Sequence, residues 1–244
     1  MVVEPSLKGT GHSEPIPRLE NGDRLSRHEF ERRYEAMLNN QKAELIEGVV
    51  YLGSPLRFEG HAEPHSNLVG WLWTYRIATL GLGVRLGIEP TLRLDLDNEP
   101  QPDGVLLIDE RVGGRLRIAH ASRTRITDDD YVEGAPELVA EIAASSAAYD
   151  LHDKKRVYRR NGIQEYIVWQ IFENKLDWFR LSEGEYVPLE ADEAGVVKSQ
   201  VLPGLWLAVP ALLEGNMAKV LAVLQEGLNS PEHGDFVKSL SDPS

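Results

Sequence analysis

Apolar residues recur at helical spacing in three stretches of the chain. The first follows Ser26, which stands three residues before a glutamate in the form of a capping box, and its apolar face continues to Leu38. The second runs from His65 to about Leu80, just before a glycine, and the third covers Leu212 to Leu228. A fourth helix, charged rather than amphipathic, is predicted over residues 150–161 because a glycine follows it.

Extended segments alternate with these helices. We predict strands at residues 43–51, 84–89, 91–96, 103–108, 136–143 and 164–169, with hairpin-like segments near 174–181 and 185–190. The glycine within 43–51 predicts a bend or bulge in that strand. Apolar and polar residues alternate in 91–96, so one face of that strand should meet solvent. The order of elements predicts an α/β fold in a single domain, with a central mixed β-sheet flanked by helices.

The two ends of the chain lack this regular pattern. Residues 1–23 are rich in proline, glycine and glutamate, and we interpret them as a mobile N-terminal arm. The folded domain is expected to cover residues 24–228, and residues 229–244 are expected to form a frayed C-terminal tail. Within the domain, the polar connection at 109–135 is long, and such loops are commonly functional or mobile.

The composition excludes several kinds of site. Of the 244 residues, 42% are hydrophobic and 27% are charged, and there is no cysteine. Disulfides, thiolate zinc sites and a cysteine nucleophile are therefore excluded. No segment reaches the roughly 18 unbroken apolar residues that a membrane span requires, and the N-terminal residues lack the apolar core of an export signal. We therefore expect a cytoplasmic protein with no membrane partner.

Charge is unevenly distributed along the chain. The 39 acidic residues outnumber the 26 basic ones, and the resulting net charge of −13 disfavours a phosphate-bearing partner. Over half of this excess lies in residues 182–244. In contrast, residues 111–125 contain five arginines and no acid, and residues 154–160 form a second basic cluster. Nucleic acid is therefore expected to bind only at a small basic rim, with strong sensitivity to salt.

Glu141 is the most informative charged residue. Its neighbours in the predicted strand are apolar, and an ionised carboxylate there is costly unless it is paired or bound to a cation. The alternative is an alternating strand with Glu137 and Glu141 on a solvent face. Asp103 could likewise be an ordinary strand-start residue, Asp150 the N-cap of its helix, and Lys154 part of a solvated helix face.

Two histidines lie four residues apart, as the ligands on a zinc-binding helix do. These are His61 and His65, but Pro64 between them argues against a regular helix through both. We therefore interpret His65 as a residue at the start of the second helix. Tyr158 would lie on the same side of its helix as Lys154, which stands four residues earlier.

The order of these residues resembles that of a known nuclease family. A strand-edge Pro102-Asp103 precedes an apolar strand that carries Glu141, and a helix with Asp150 and Lys154 follows. Further matching segments are Glu44-Leu-Ile-Glu-Gly48 and Asn161-Gly-Ile-Gln-Glu-Tyr-Ile-Val-Trp169. The arrangement resembles the PD-(D/E)XK nuclease superfamily and, within it, the bacterial family named "putative restriction endonuclease". The resemblance extends from about residue 26 to about residue 208.

The resemblance implies a restriction-endonuclease-like fold and a metal-dependent endonuclease that acts on DNA. Asp103 and Glu141 would bind Mg²⁺ or Mn²⁺, and Glu44 would be the further acidic residue of the site. Such hard cations prefer carboxylate oxygens and activate bound water, and Lys154 would assist that water. Second-tier candidates are His65, which the resemblance places near the acidic site, Tyr158, Asp150 and Lys155. A homodimer is possible, because cutting two strands favours two sites.

The chain departs from the family pattern in one region. Position 143 is alanine where the superfamily pattern has lysine, so Lys154 on the following helix is the matching basic residue. Residues 143–147 also lack the serine-proline-serine turn that is usual in the family. These departures leave an alternative, namely a non-catalytic nucleic-acid- or protein-binding module on a decayed nuclease scaffold. RNA and small phosphodiesters are alternative substrates.

Overall fold

The computed structural model describes residues 15–37, 41–109, 124–144 and 149–241. Its helices are α1 (Arg27–Glu35), α2 (Glu63–Ala78), α3 (Lys155–Arg160), α4 (Val209–Leu213), α5 (Met217–Leu228) and α6 (Pro231–Ser241). π-helical turns at Phe58–Ala62 and Asp150–Lys154 precede α2 and α3. Its strands are β1 (Ala43–Ile46), β2 (Val49–Leu52), β3 (Val84–Ile88), β4 (Leu92–Arg93), β5 (Gly104–Ile108), β6 (Arg125–Ile126), β7 (Val132–Glu133), β8 (Leu138–Ala143), β9 (Glu165–Gln170), β10 (Lys175–Ser182), β11 (Glu185–Pro188), β12 (Val196–Lys198) and β13 (Trp206–Ala208).

Six strands form a mixed sheet in the order β11-β10-β9-β8-β5-β3. Strands β8 and β9 are parallel, and the other neighbouring pairs are antiparallel. The parallel pair is possible because α3 lies in the connection between its strands, and a parallel pair needs such a crossover. Helix α2 packs on one face of the sheet and α3 on the other. The predicted α/β fold, with a central mixed sheet flanked by helices, is confirmed.

Strand β8 is buried on both faces. Its even-numbered residues pack with α2 in one apolar cluster, and Val139 and Ala143 pack with α3 in the other. Glu141 is only 3% exposed, and Glu137 just before the strand is 2% exposed. The interpretation that Glu137 and Glu141 meet solvent is therefore wrong, because helices cover both faces of this central strand.

The segment predicted as one strand at 43–51 is a hairpin. Strands β1 and β2 pair antiparallel, with Ile46 opposite Val49. Glu47 and Gly48 between them have φ values of 53° and 72°. Two successive residues in the left-handed region form the tight turn that a two-residue hairpin requires. The glycine thus reverses the chain, where a bend or bulge was predicted.

The region between residues 91 and 135 contains shorter strands than the sequence predicts. Only Leu92 and Arg93 of the predicted strand 91–96 belong to β4, which joins β7 and β6 in a small three-stranded sheet. Part of the connection expected at 109–135 is therefore strand, and its residues 110–123 lie outside the described part of the chain. Strands β12 and β13, which form a separate antiparallel pair, are not predicted by the sequence pattern.

Two predicted helices begin differently from expectation. Ser26 precedes α1, but its side chain makes no capping hydrogen bond. The Glu29 carboxylate, the other half of the predicted capping box, binds Arg32 and Arg33. Leu38, expected on the apolar face of this helix, lies outside the described residues. The charged helix has a π turn at Asp150–Lys154 and is α-helical from Lys155. Tyr149 before the turn already has helical φ and ψ, so Asp150 lies within the helical segment and is not an N-cap.

The C-terminal segment is helical up to residue 241, where a frayed tail was predicted. The last predicted helix is divided into α4 and α5, and α6 follows it. Phe236 and Leu240 of α6 are buried in the apolar cluster of α2. At the other end, residues 15–23 pack on the hairpin, since Leu19 is buried and the Gly22 N–H donates to the Val50 carbonyl. Residues 1–14 of the predicted arm lie outside the described part.

Candidate active site

Acidic residues face each other where β5 begins beside β8. Gly104 pairs with Ala140, so the next pair of this antiparallel register places Asp103 opposite Glu141. The Asp103 Oδ2 atom accepts a hydrogen bond of 2.6 Å from the Ile142 N–H. Both carboxylates are almost completely buried. The strand register therefore holds Asp103 and Glu141 opposite each other on two neighbouring strands, an arrangement that the family resemblance implies.

Lys154 brings a positive charge into this edge. Its Nζ atom lies 2.9 Å from Glu141 Oε1, 2.9 Å from Glu44 Oε1 and 3.8 Å from Asp150 Oδ1. The Tyr158 hydroxyl donates a 2.8 Å hydrogen bond to the same Glu141 oxygen. We call Glu44, Glu141, Asp150, Lys154 and Tyr158 the lysine cluster. Lys154 is 4% exposed, so its charge is compensated by these carboxylates rather than by bulk water.

Glu44 enters the cluster from the hairpin. It lies in β1, and its Oε1 atom accepts the Gln101 N–H at 2.7 Å in addition to the lysine contact. Gln101 stands two residues before Asp103, so this hydrogen bond ties the hairpin to the start of β5. Tyr149, whose ring centroid lies 5.4 Å from Lys154 Nζ, covers the ammonium on another side.

The charges in the cluster do not balance. Burial alone would lower the pKa of Lys154, but Glu141, Glu44 and Asp150 raise that pKa well above its usual value. Burial raises the pKa of Glu141 to about 8, because the attraction of Lys154 only partly offsets burial and the neighbouring carboxylates. Several carboxylates thus share one ammonium, and the excess negative charge favours a bound proton or a bound cation.

A second group of side chains lies on the other side of Asp103. His61, His65, Glu89 and Asp103 each offer one possible metal-ligand atom, and these four atoms lie within 4.8 Å of one another. The His61 Nε2 atom is 3.3 Å from Asp103 Oδ1, and the His65 Nε2 atom is 2.9 Å from the Asp103 carbonyl oxygen. We call these four residues the histidine site.

The histidine pair is helical despite Pro64. The wider π turn ends at Ala62, and α2 begins at Glu63 with the proline in its first turn, where no N–H is required. As the sequence predicts, no regular α-helix runs through both histidines, and the π turn that carries His61 is not visible in the sequence pattern. Glu89 is not among the site residues predicted from the sequence. The only signal there is its position beside Pro90, at the end of a predicted strand.

The two halves of the histidine site influence each other. The contact with Asp103 raises the pKa of His61 despite the opposing effect of burial. Burial alone would raise the pKa of Asp103, but His61, Lys42 and the Ile142 N–H hold it below its usual value. Asp103 is therefore an anionic residue shared by the histidine site and the edge of the lysine cluster.

Comparison with known proteins places this geometry in a family. The family model described as "Uma2: Putative restriction endonuclease" matches residues 27–210. The chain belongs to the Uma2 family. A crystal structure from Anabaena variabilis ATCC 29413, described as a putative nuclease belonging to DUF820, has 14% sequence identity and a TM-score of 0.49, covering 79% of this chain and 97% of that chain. Among curated proteins, none matches. The family resemblance read from the sequence is confirmed.

In this Uma2 chain, nearly all the predicted site residues come together. Lys154 contacts Glu141 and Glu44, and Asp103 lies opposite Glu141 in the strand register. The second-tier residues Asp150, Tyr158 and His65 contact Lys154, Glu141 and Asp103, respectively. Lys155 does not, because its Nζ atom lies 3.4 Å from the centroid of the Phe179 ring. The neighbouring lysines thus differ, with Lys154 directed into the acidic cluster and Lys155 packed on an aromatic ring.

The basic clusters of this Uma2 chain are partly neutralised. The exposed arginines of α3 all contact acids, through the pairs Arg156–Asp153, Arg159–Glu185 and Arg160–Glu47. In the other basic stretch, residues 111–123 lie outside the described part, and Arg125 pairs with Glu133. Within the described residues, no helix is both long and apolar enough to cross a membrane.

Proposed function

We propose that this Uma2 protein is a metal-dependent endonuclease that hydrolyses phosphodiester bonds in DNA. The observation that carries the proposal is that Glu141 and Glu44 both contact the buried ammonium of Lys154, while the strand register places Asp103 opposite Glu141. The chain belongs to a family described as "Putative restriction endonuclease", and a nuclease site would use carboxylates and a lysine in this arrangement to bind a cation and a phosphate. Asp103, Glu141, Glu44 and Lys154 are the proposed catalytic residues.

The residues present fit a hard divalent cation. Asp103, Glu141 and Glu44 offer carboxylate oxygens, the ligands that Mg²⁺ and Mn²⁺ prefer. These acids outnumber the single buried lysine, so added positive charge would be stabilised there. When bound, such a cation lowers the pKa of a water molecule and stabilises the negative charge that develops on the phosphate.

Lys154 and Glu141 would control protons and water. An ammonium carries three donors, and Lys154 directs two of them to Glu141 and Glu44. Asp150 Oδ1 lies 3.8 Å from the ammonium, beyond hydrogen-bond distance, so the third donor would bind the attacking water or a phosphate oxygen. Without the cation, Glu141 would hold a proton near neutral pH, because burial raises its pKa to about 8, and the bound cation would displace that proton. Tyr158 fixes the orientation of that carboxylate through its hydroxyl group.

The proposed DNA substrate would have to bind to a protein with a net negative charge. The net charge is −13 and the arginines of α3 are already paired, so the described residues offer little excess positive charge for phosphates. Binding to DNA should therefore be weak without the metal and should decrease steeply as salt is added. A homodimer is part of the proposal, because cutting both strands of a duplex favours two active sites.

The decisive experiment is cleavage of supercoiled plasmid with Mg²⁺, with Mn²⁺ and with a chelator. We expect nicked or linear product only with a divalent ion, and no product from Asp103→Asn or Glu141→Gln. Glu226→Gln is the matched control, because Glu226 is exposed on α5 and should be neutral for activity. Circular dichroism checks that each variant keeps its fold.

The same assay separates the alternatives. Full activity of either acidic variant contradicts the site. Absence of cleavage with both ions, together with retained DNA binding, would favour the non-catalytic module instead. Parallel reactions on single-stranded RNA and on a small phosphodiester test the substrate class, and faster hydrolysis of either substrate would overturn the assignment to DNA.

A further inference from the structure

We propose that His61, His65, Glu89 and Asp103 bind a divalent first-row transition-metal ion, such as Zn²⁺ or Co²⁺. The four candidate ligand atoms lie within 4.8 Å of one another. Ligand atoms that share one ion at bond lengths of about 2.1 Å are roughly 3–4 Å apart, so only small side-chain movements are required. This inference concerns a metal site separate from the proposed nuclease function, and binding of the ion can be measured without DNA.

The fold assembles the site from two directions. The π turn carries His61, and the first turn of α2 carries His65, so the two ring centroids are 5.5 Å apart. From the sheet, the Glu89 N–H donates to the Asp103 carbonyl at 3.3 Å, which continues the pairing of β3 with β5. Glu89 adopts φ of 50°, so its side chain departs from the regular alternation of the strand.

A buried nitrogen in the site lacks a hydrogen-bond partner. The Nε2 atom of His61 is inaccessible to solvent and makes no hydrogen bond with any described residue, although it is close to Asp103. A buried polar atom without a partner is unfavourable and calls for an explanation, an unobserved ion being one. An ion held by His61 and Asp103 would supply that partner.

His65 has a hydrogen-bonding pattern common among metal-binding histidines. Its Nε2 contacts the carbonyl oxygen of Asp103 at 2.9 Å, and a carbonyl can only accept, so this nitrogen must carry the proton. The other ring nitrogen, Nδ1, then retains its lone pair in the neutral imidazole. Histidines that bind metals usually donate their second ring N–H to a carbonyl or carboxylate in this way.

The donor set selects the class of ion. Imidazole nitrogens suit Zn²⁺, Co²⁺ and Ni²⁺, whereas Mg²⁺ prefers oxygen ligands and retains its waters. The carboxylates of Glu89 and Asp103 would together balance a charge of two. Lys42 is the nearest competing cation, at 3.5 Å from Glu89 Oε1, but both side chains of this pair are partly exposed, so Lys42 can move aside.

The test is titration of the full-length, tag-free, metal-stripped protein with Co²⁺, followed by visible absorption, and with Zn²⁺ and Mg²⁺ by calorimetry. We expect one tightly bound Co²⁺ per chain, in addition to any weaker binding at the carboxylates of the lysine cluster, and the affinity of the tight site should be at least 10-fold weaker in His61→Gln and Glu89→Gln. His152→Gln is the matched control, because His152 is exposed on the other π turn. Glu141→Gln should retain binding, and a 100-fold excess of Mg²⁺ should not displace Co²⁺.

Four outcomes would overturn the site. These are absence of Co²⁺ binding, unchanged affinity in Glu89→Gln, an equal loss in His152→Gln, and loss in Glu141→Gln but not in His61→Gln. Glu89 is partly exposed, so its variant should fold even if a histidine variant does not. An inactive protein that binds Co²⁺ with this pattern would contradict the nuclease proposal alone, and an active protein without it would contradict the histidine site alone.

Discussion

Replacing Lys154 by methionine should strongly destabilise the protein at pH 8 without divalent ions. The ammonium is 4% exposed and contacts two carboxylates at 2.9 Å each. At an effective dielectric constant of about 20, two unit charges 4 Å apart interact by about 4 kcal/mol. Removing one partner of a buried pair typically costs about 3–5 kcal/mol, because it leaves the other charge uncompensated. We therefore expect Lys154→Met to lose about 4 kcal/mol of unfolding free energy.

Urea unfolding followed by tryptophan fluorescence measures this loss, since Trp71 and Trp178 are buried in the core. The control is Lys155→Met, which removes a lysine stacked on Phe179 and should cost less than about 1 kcal/mol. In a Glu141→Gln background, the effect of Lys154→Met should be smaller by at least about 1 kcal/mol, because the two residues interact directly. Equal losses for the two lysine variants, or strict additivity with Glu141→Gln, would refute the reasoning.

Three further predictions concern packing and pH. An added Cβ in Gly227→Ala would overlap the Gly204 carbonyl oxygen, and this variant should lose about 3 kcal/mol of unfolding free energy in urea. Gly70→Ala on α2 has open space and should gain up to about 1 kcal/mol. A Gly70→Ala variant less stable than Gly227→Ala would contradict the packing. Phe236→Ala should lower the unfolding free energy by about 3 kcal/mol, because α6 is part of the core. A negligible loss would instead support the prediction that this segment is a frayed tail. Burial raises the pKa of Glu165 to about 7, so the native state holds a proton that the unfolded state releases from about pH 4.5 upward. The free energy of unfolding should fall as pH rises from 5 to 8, and this fall should be about 3 kcal/mol smaller in Glu165→Gln than in the wild type. An equal fall in both proteins would contradict the assignment of this pH dependence to Glu165.

The buried carboxylates show how far sequence patterns reach. An acid within an apolar strand indicates that Glu141 has a partner, and the spacing to the next helix identifies Lys154 as one candidate and Lys155 as another. The choice between the two lysines depends on the rotation of a helix that contains a π turn just before Lys155. A pattern with a period of 3.6 residues does not contain that rotation. Glu165 is similarly buried, but its position at the first residue of a strand does not predict that burial from the sequence.

Apolar periodicity and glycine positions determined the central elements of this Uma2 chain, because burial on a sheet or helix face is a local property of the sequence. The order of Asp103, Glu141 and Lys154 likewise determined the family and the main candidate residues. Only the tertiary structure decided that Glu89 lies beside His61, because strand pairing and a π turn bring together residues 28 positions apart in sequence. It alone also decided that α6 belongs to the core, because the apolar face that receives Phe236 is formed by elements distant in the sequence. Contacts of this kind depend on the register between elements, which no local pattern specifies.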